Sequence, residues 1–284
     1  MADDNAYGSE TLSLRANIFM QSHFLPFRNG RIHCLHFGAG PELLIALHGF
    51  GDRARMFAVL EPALGTHYTV VAPDWPFHGQ SEWSTDAFSK ADLLEIVQQI
   101  AKQADKTRFS LLGYSFGARL AQAMLPELSG QLNHLYLLAP DGIETKGMSM
   151  ATRTPMWIRK SLLRMLRRPA WFVTLLGWGH RVHAVPPMIH HFLSNNLTRP
   201  ERFRRTFGCW LSMNSFYLGR RKIRAILLET GLKTEIYLGA RDEVIGSKAL
   251  HAMVDGLPNV RLHLLDEGHR IIGERLAAAI ITNR

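Results

Sequence analysis

The chain has 284 residues, of which 46% are hydrophobic and 20% charged, with a formal net charge of +9. That length and balance suit one large globular domain, or one domain carrying an insertion. Two cysteines, Cys34 and Cys209, exclude a disulfide scaffold, and no apolar run reaches the ~20 residues that span a bilayer.

The first ten residues, MADDNAYGSE, are acidic and lack the apolar core of a secretory signal, so a cytoplasmic location is expected. The first 40 residues read as antiparallel lead-in strands, ending in RIHCLHFGAG. ELLIALHGFG (42–51) is an apolar run that breaks at glycine, and YTVVAPDWPFHGQS (68–81) repeats the form, broken by Asp74 and Pro76. RFSLLGYSFG (108–117), LNHLYLLAPDG (132–142), TEIYLGARDE (234–243) and NVRLHLLDEGH (259–269) follow. Short leucine-rich and β-branched runs of this kind predict strands buried on both faces, as in a parallel sheet.

Helical patterns separate most of these runs. ADLLEIVQQIAKQA (91–104) has apolar residues at helical spacing, with Ser89 as its cap and Asp92 three residues on. ARLAQAMLPEL, SKALHAMVDGL and IIGERLAAAIITNR give three more. Strand alternating with helix predicts a doubly wound α/β sheet. Between 143 and 222 the alternation stops and only helix-like segments occur. The expected organisation is therefore a core of 1–142 and 223–284 with a helical insertion over 143–222.

In such a sheet the loops after the strands carry the chemistry. Five runs end in His48-Gly49-Phe50-Gly51, Asp74, Ser115, Asp242 and His269. In GYSFG, glycines at 113 and 117 permit a sharp strand-to-helix turn that projects the Ser115 hydroxyl beside a helix N-terminus. A serine hydroxyl needs a base, and His269, in a Gly-His loop after the last strand, is the best placed of 14 histidines. His48 and His78 precede the serine and read as loop-packing residues. The base needs an orienting carboxylate. Asp242 is favoured because its loop neighbours that of His269. Asp141, ending the strand after the serine helix, is the rival, and Glu243 a weaker contender. The backbone N–H groups of Phe50 and Phe116 are the candidate oxyanion donors.

These motifs resemble the α/β-hydrolase superfamily, in its serine-nucleophile branch with a His-Gly-x-Gly oxyanion loop and a helical cap. The matching residues are His48-Gly49-Phe50-Gly51, Asp74 with Gly79 and Ser81, Gly113-Tyr114-Ser115-Phe116-Gly117, Gly239 with Asp242, and Gly268-His269. The order Ser, Asp, His is the superfamily's order. Ala118 stands where many relatives carry a second glycine. The resemblance implies an α/β-hydrolase fold, a triad of Ser115, Asp242 and His269, an oxyanion hole at Phe50 and Phe116, and no cofactor.

The insertion concentrates the charge: 143–222 hold 15 Lys or Arg against Glu144 and Glu201. In WIRKSLLRMLRR, Ile158, Leu162, Met165 and Leu166 share one helical face, and Lys160, Arg164, Arg167 and Arg168 the other. A second helix is expected to start at Thr198, with Glu201 in a capping box and Arg202, Arg204 and Arg205 in its first turns. Three uses fit: an ordinary cap helix, contact with an anionic membrane surface, or docking of an acidic carrier protein. No nucleic-acid motif accompanies the charge. His180, His183, His190 and His191 lack the carboxylates or cysteines of a metal site.

The expected function is a serine hydrolase acting on a carboxylic ester of an apolar acyl group, which the apolar character of Phe50, Phe77 and Phe116 favours. Thioester cleavage on a carrier, hydrolytic C–C cleavage and a non-catalytic ligand-binding receptor are the alternatives.

Overall fold

A run such as 43–47 or 109–114 carries apolar side chains on both faces, so it is stable only in a sheet covered on both sides. The computed structural model describes residues 20–143 and 199–283, together with scattered positions between 155 and 181. Eight strands form one sheet: β1 (Gln21–Phe27), β2 (Gly30–Phe37), β3 (Glu42–Leu47), β4 (Tyr68–Pro73), β5 (Phe109–Tyr114), β6 (Leu132–Leu138), β7 (Lys233–Gly239) and β8 (Val260–Leu265), in the order β1-β2-β4-β3-β5-β6-β7-β8. β1 and β2 form an antiparallel hairpin, β2 pairs antiparallel with β4, and every other pairing is parallel. The doubly wound sheet read from the alternation is thus present. Every residue of β5 is buried. β8 departs from the expectation of burial on both faces: it is the sheet edge, and only Val260 in it is fully buried.

Among the described residues, six helices of eight or more residues accompany the sheet: α1 (Lys90–Gln103), α2 (Phe116–Leu128), α3 (Pro200–Ser212), α4 (Arg220–Thr230), α5 (Ser247–Val254) and α6 (Glu274–Thr282). Ser89 caps α1 as its sequence suggests. Its hydroxyl accepts from the Asp92 N–H, and the Asp92 carboxylate accepts from the Ser89 N–H, so two otherwise orphaned donors are satisfied. The apolar stripe of α1 (Leu93, Ile96, Val97, Ile100) is buried on the sheet. α2 is buried almost all round, which matches its lack of a charged face. Each such leucine removed from water contributes roughly 1.5–3 kcal/mol.

The register aligns the carboxyl ends of the strands. Leu47 faces Gly113, Tyr114 faces Leu138, Leu138 faces Tyr237, and Gly239 faces Leu265. The loops carrying His48, Ser115, Asp242 and His269 therefore leave the same edge. The winding reverses between β3 and β5, since β4 lies on one side and β6 on the other. That reversal opens the crevice in which open α/β sheets bind ligands, and the loop 48–52 and Ser115 flank it.

Of the Arg-rich segment, Lys160, Ser161 and Arg164 are exposed and Ile158 is half-buried; the rest of the helix expected over 158–168, the stretch 171–178 apart from Thr174, Gly177 and Trp178, and His180, His183, His190 and His191 lie outside the described residues. The second expected helix is α3, and it starts later than Thr198: Phe203 N–H donates to the Arg199 carbonyl at 2.8 Å, placing Pro200 at the first helical position. Proline takes that position because its missing N–H would have no partner there. α3 docks on the core through Ser212, whose Oγ accepts from Phe88 N–H at 2.9 Å, and Arg204, which donates to the Trp83 carbonyl at 2.7 Å. No helix among the described residues is long and apolar enough to cross a membrane.

Candidate active site

The turn from β5 into α2 forces Ser115 to φ 51°, ψ −114°, a conformation that side chains other than glycine rarely adopt. Close packing makes the turn possible. A Cβ at Gly117 would run into the Leu47 carbonyl at the end of β3, and one at Gly113 would strike the backbone of Ala118. The two glycines let α2 start against the sheet edge, and the strain is held by neighbours: Ser115 N–H donates to the Leu138 carbonyl at 2.8 Å, and the Ser115 carbonyl accepts from Ala118 at 3.0 Å.

Ser115 Oγ lies 3.1 Å from His269 Nε2, and His269 Nδ1 lies 2.8 Å from Asp242 Oδ2. An ionised carboxylate only accepts, so Nδ1 carries the proton and donates to Asp242, which leaves Nε2 to accept from the serine hydroxyl. The Asp242 side chain is fully buried, and its other oxygen accepts from the N–H groups of Val244 (2.8 Å) and Ile245 (2.9 Å). These bonds lock the carboxylate in place. The rival, Asp141, is engaged elsewhere: its carboxylate accepts from Arg119 Nη2 at 2.8 Å, and Arg119 is only 2% exposed. Glu243 is exposed. Tyr114, the variable residue before the serine, donates its hydroxyl to the His269 carbonyl at 3.3 Å. Burial pushes that phenol up to about 12, so it stays a donor at neutral pH. Its position inside GYSFG was no signal of this role.

The loop after β3 is held from three directions. Trp75 Nε1–H donates to the His48 carbonyl at 3.0 Å, Gly51 N–H donates to His78 Nε2 at 3.1 Å, and Ala54 N–H donates to Asp74 Oδ1 at 2.6 Å. Asp74 also receives His33 Nδ1–H at 2.8 Å and Gln80 N–H at 2.9 Å, so it is a buried hub of the loops and is spent in that role. His48 and His78 are buried packing groups, as their order in the chain suggested. Burial holds both below the ordinary imidazole range, His78 at about 4. Among the described residues no hydrogen bond leaves the N–H of Phe50, and that of Phe116 is the first in its helix and has no intrahelical partner. Two unspent N–H donors on the loops flanking Ser115 can receive a developing oxyanion.

The role of His78 can be read in acid. A neutral imidazole in the fold and an ordinary one near 6.5 in the unfolded chain mean that its contribution is complete above pH 6.5 and is lost as pH falls toward 4. The loss is on the order of 3 kcal/mol, and protonation also removes the acceptor that holds Gly51. Urea unfolding at pH 7.5 and pH 5 should show about 2 kcal/mol of this fall, and His78→Gln should flatten it; equal falls in both proteins would refute the assignment.

The aromatic residues near the site divide into two groups. Phe116 is 3% exposed and stacks on Trp75 at 5.1 Å, so its ring is core packing and not a substrate wall. Phe77 seats against Gly208 of α3. Phe50, 42% exposed, remains open to a ligand. Among the described residues no group of three or more metal-binding side chains occurs.

Residues 42–188 match the family model described as alpha/beta hydrolase fold. Among curated proteins, the chain is 31% identical over 144 residues to the 2-hydroxy-6-oxononadienedioate/2-hydroxy-6-oxononatrienedioate hydrolase of Escherichia coli strain K12, which is 49% of either chain. The chain thus matches about half the length of those relatives. It is 28% identical over 250 residues to an uncharacterised protein of Mycobacterium tuberculosis, covering 82% of this chain and 71% of that one. Among solved structures, the thioesterase domain from the curacin biosynthetic pathway superposes with a TM-score of 0.66 at 18% identity, over 93% of this chain and 98% of that one. Naproxen esterase of Bacillus subtilis gives 0.62 at 14% identity, over 100% and 98%. At such identities the likeness lies in the fold.

Proposed function

The chain belongs to the alpha/beta hydrolase fold family, and from that premise we propose that it is a serine hydrolase cleaving a carboxylic ester of an apolar acyl group. The observation that carries this reading is the relay from Ser115 Oγ through His269 to Asp242 at 3.1 and 2.8 Å, beside the free N–H groups of Phe50 and Phe116. His269 Nε2 takes the Ser115 proton as Oγ bonds to the ester carbonyl carbon, and the carbonyl oxygen becomes an oxyanion received by the two N–H groups. The imidazolium, stabilised by Asp242, gives its proton to the leaving alkoxide as the C–O bond breaks. Water then loses a proton to the same nitrogen, attacks the acyl-enzyme, and releases the acid and Ser115.

The acyl preference is supported by Phe50, which is exposed on the loop after β3. The Arg-rich segment's contact with an anionic membrane surface or an acidic carrier belongs to the same reading, with small soluble esters as the simplest substrates. A second reading is hydrolysis of a 2-hydroxy-6-oxo-dienedioate, the activity named for the Escherichia coli relatives. It is favoured by 31% identity over about half the chain and uses the same serine and histidine.

Labelling with a fluorophosphonate tests the nucleophile. Wild type should be labelled and Ser115→Ala should not; equal labelling of the two removes Ser115 from the role. Turnover of 4-nitrophenyl butyrate against a dienedioate then separates the two readings.

A further inference from the structure

We propose that the cleft beside the nucleophile is a subsite for an anionic group, phosphate or carboxylate, carried by the substrate. The proposal rests on the reading of Ser115 as nucleophile and adds what kind of molecule it attacks.

The cleft has a volume of about 580 Å³ and is lined by Gly51, Asp52, Arg53, Arg55, Arg205 and Arg270. Its walls belong to the loops that carry the proposed chemistry. Gly51 follows Phe50, Arg270 follows His269, and the Arg205 guanidinium lies 5.9 Å from the Phe50 ring centre. Four arginines from three separate parts of the chain therefore line one concave space, next to the loops of Phe50 and His269.

Like charges gathered in this way repel unless something offsets them. The cleft contains one carboxylate, Asp52, which lies 3.3 Å from Arg270. Among the described residues, no carboxylate pairs with Arg53, Arg55 or Arg205. The Nε–H of Arg205 is buried with no acceptor. The neighbouring groups cannot supply one: His78 is neutral, with its ring nitrogens used by Gly51 and Pro76, and Asp74 is buried with its oxygens taken. An oxyanion of two or three oxygens would satisfy these donors, because the planar guanidinium fork matches carboxylate and phosphate oxygens in pairs. A concave space of this size admits a small charged group. A flat membrane surface would meet only its rim. The shared loops place that group on the same molecule whose carbonyl reaches Ser115.

Matched substrate pairs test the proposal. 4-Nitrophenyl hydrogen succinate against 4-nitrophenyl butyrate probes a carboxylate, and 1-butyryl-glycerol 3-phosphate against 1-butyryl-glycerol probes a phosphate. At low ionic strength the anionic member of at least one pair should be favoured about tenfold or more in kcat/KM, a preference that weakens with added salt. The pair that shows it identifies the anion. In Arg53→Gln/Arg55→Gln, and separately in Arg205→Gln, the ratio should fall toward one. Because each ratio is taken within one protein, a general loss of folded enzyme does not mimic the result. Ratios near or below one in both pairs for active wild type, or a preference that survives both sets of substitutions, would overturn the subsite alone. Turnover of no pair above the level of Ser115→Ala would instead overturn the nucleophile reading, and the subsite with it.

Discussion

Ser115→Ala and His269→Ala should each lower kcat on an ester substrate by about 10⁶-fold, and the double variant should lower it no further. The reason is that the two groups act as one unit. Without the 3.1 Å contact to His269 Nε2, the hydroxyl stays protonated at neutral pH and is a poor nucleophile. Without the hydroxyl, the imidazole has nothing to activate except water. What remains, roughly 10³-fold over the uncatalysed rate, would come from substrate binding and the N–H groups of Phe50 and Phe116. Steady-state kinetics on the three variants, with circular dichroism to show that each is folded, reads the non-additivity. Losses that multiply in the double variant would mean that serine and histidine act separately.

Asp242→Asn should lower kcat by about 10⁴-fold while leaving the fold intact. The asparagine oxygen can keep the bonds from Val244 and Ile245, so its amide then faces His269 Nδ1. An amide N–H there forces the proton of the imidazole onto Nε2, where it can no longer accept from Ser115. Asp141→Ala supplies the contrast. It should leave kcat close to wild type but destabilise the protein by about 3 kcal/mol, because it strands the buried Arg119 guanidinium. If Asp141→Ala instead lost activity without losing stability, and Asp242→Asn kept it, the two carboxylates would have to exchange roles.

The strands were legible because burial on both faces demands continuous apolar runs, and 109–114 or 132–138 have no other stable home in water. Ser89 with Asp92 announced the start of α1 for a comparable local reason: both partners of the capping box lie within four residues. The outer strand β8 was less legible, since an apolar run at a sheet edge has the same letters as one in the middle. The start of α3 moved from Thr198 to Pro200 because Thr-x-x-Glu and Pro at the first helical position are competing signals two residues apart.

The candidate site divides along the same line. The types and order of Ser115, Asp242 and His269 are properties of the sequence, as is their place after strands, because each follows an apolar run that must enter the sheet. What lies within hydrogen-bond reach of what is not. Chain order favours Asp242 over Asp141 as the partner of His269 but does not decide between them. Only the packing of α2, which presents Arg119 to Asp141, and the register of β7 with β8, which brings the Asp242 loop to His269, separate them. The support of the loop after β3 by Trp75, His78 and Asp74, and the convergence of Arg53, Arg55, Arg205 and Arg270, are likewise tertiary. They join residues up to 217 positions apart in the numbering, at distances that no local pattern encodes. Local chemistry follows from neighbours in the chain; charge, reach and shape at a site follow from neighbours in space.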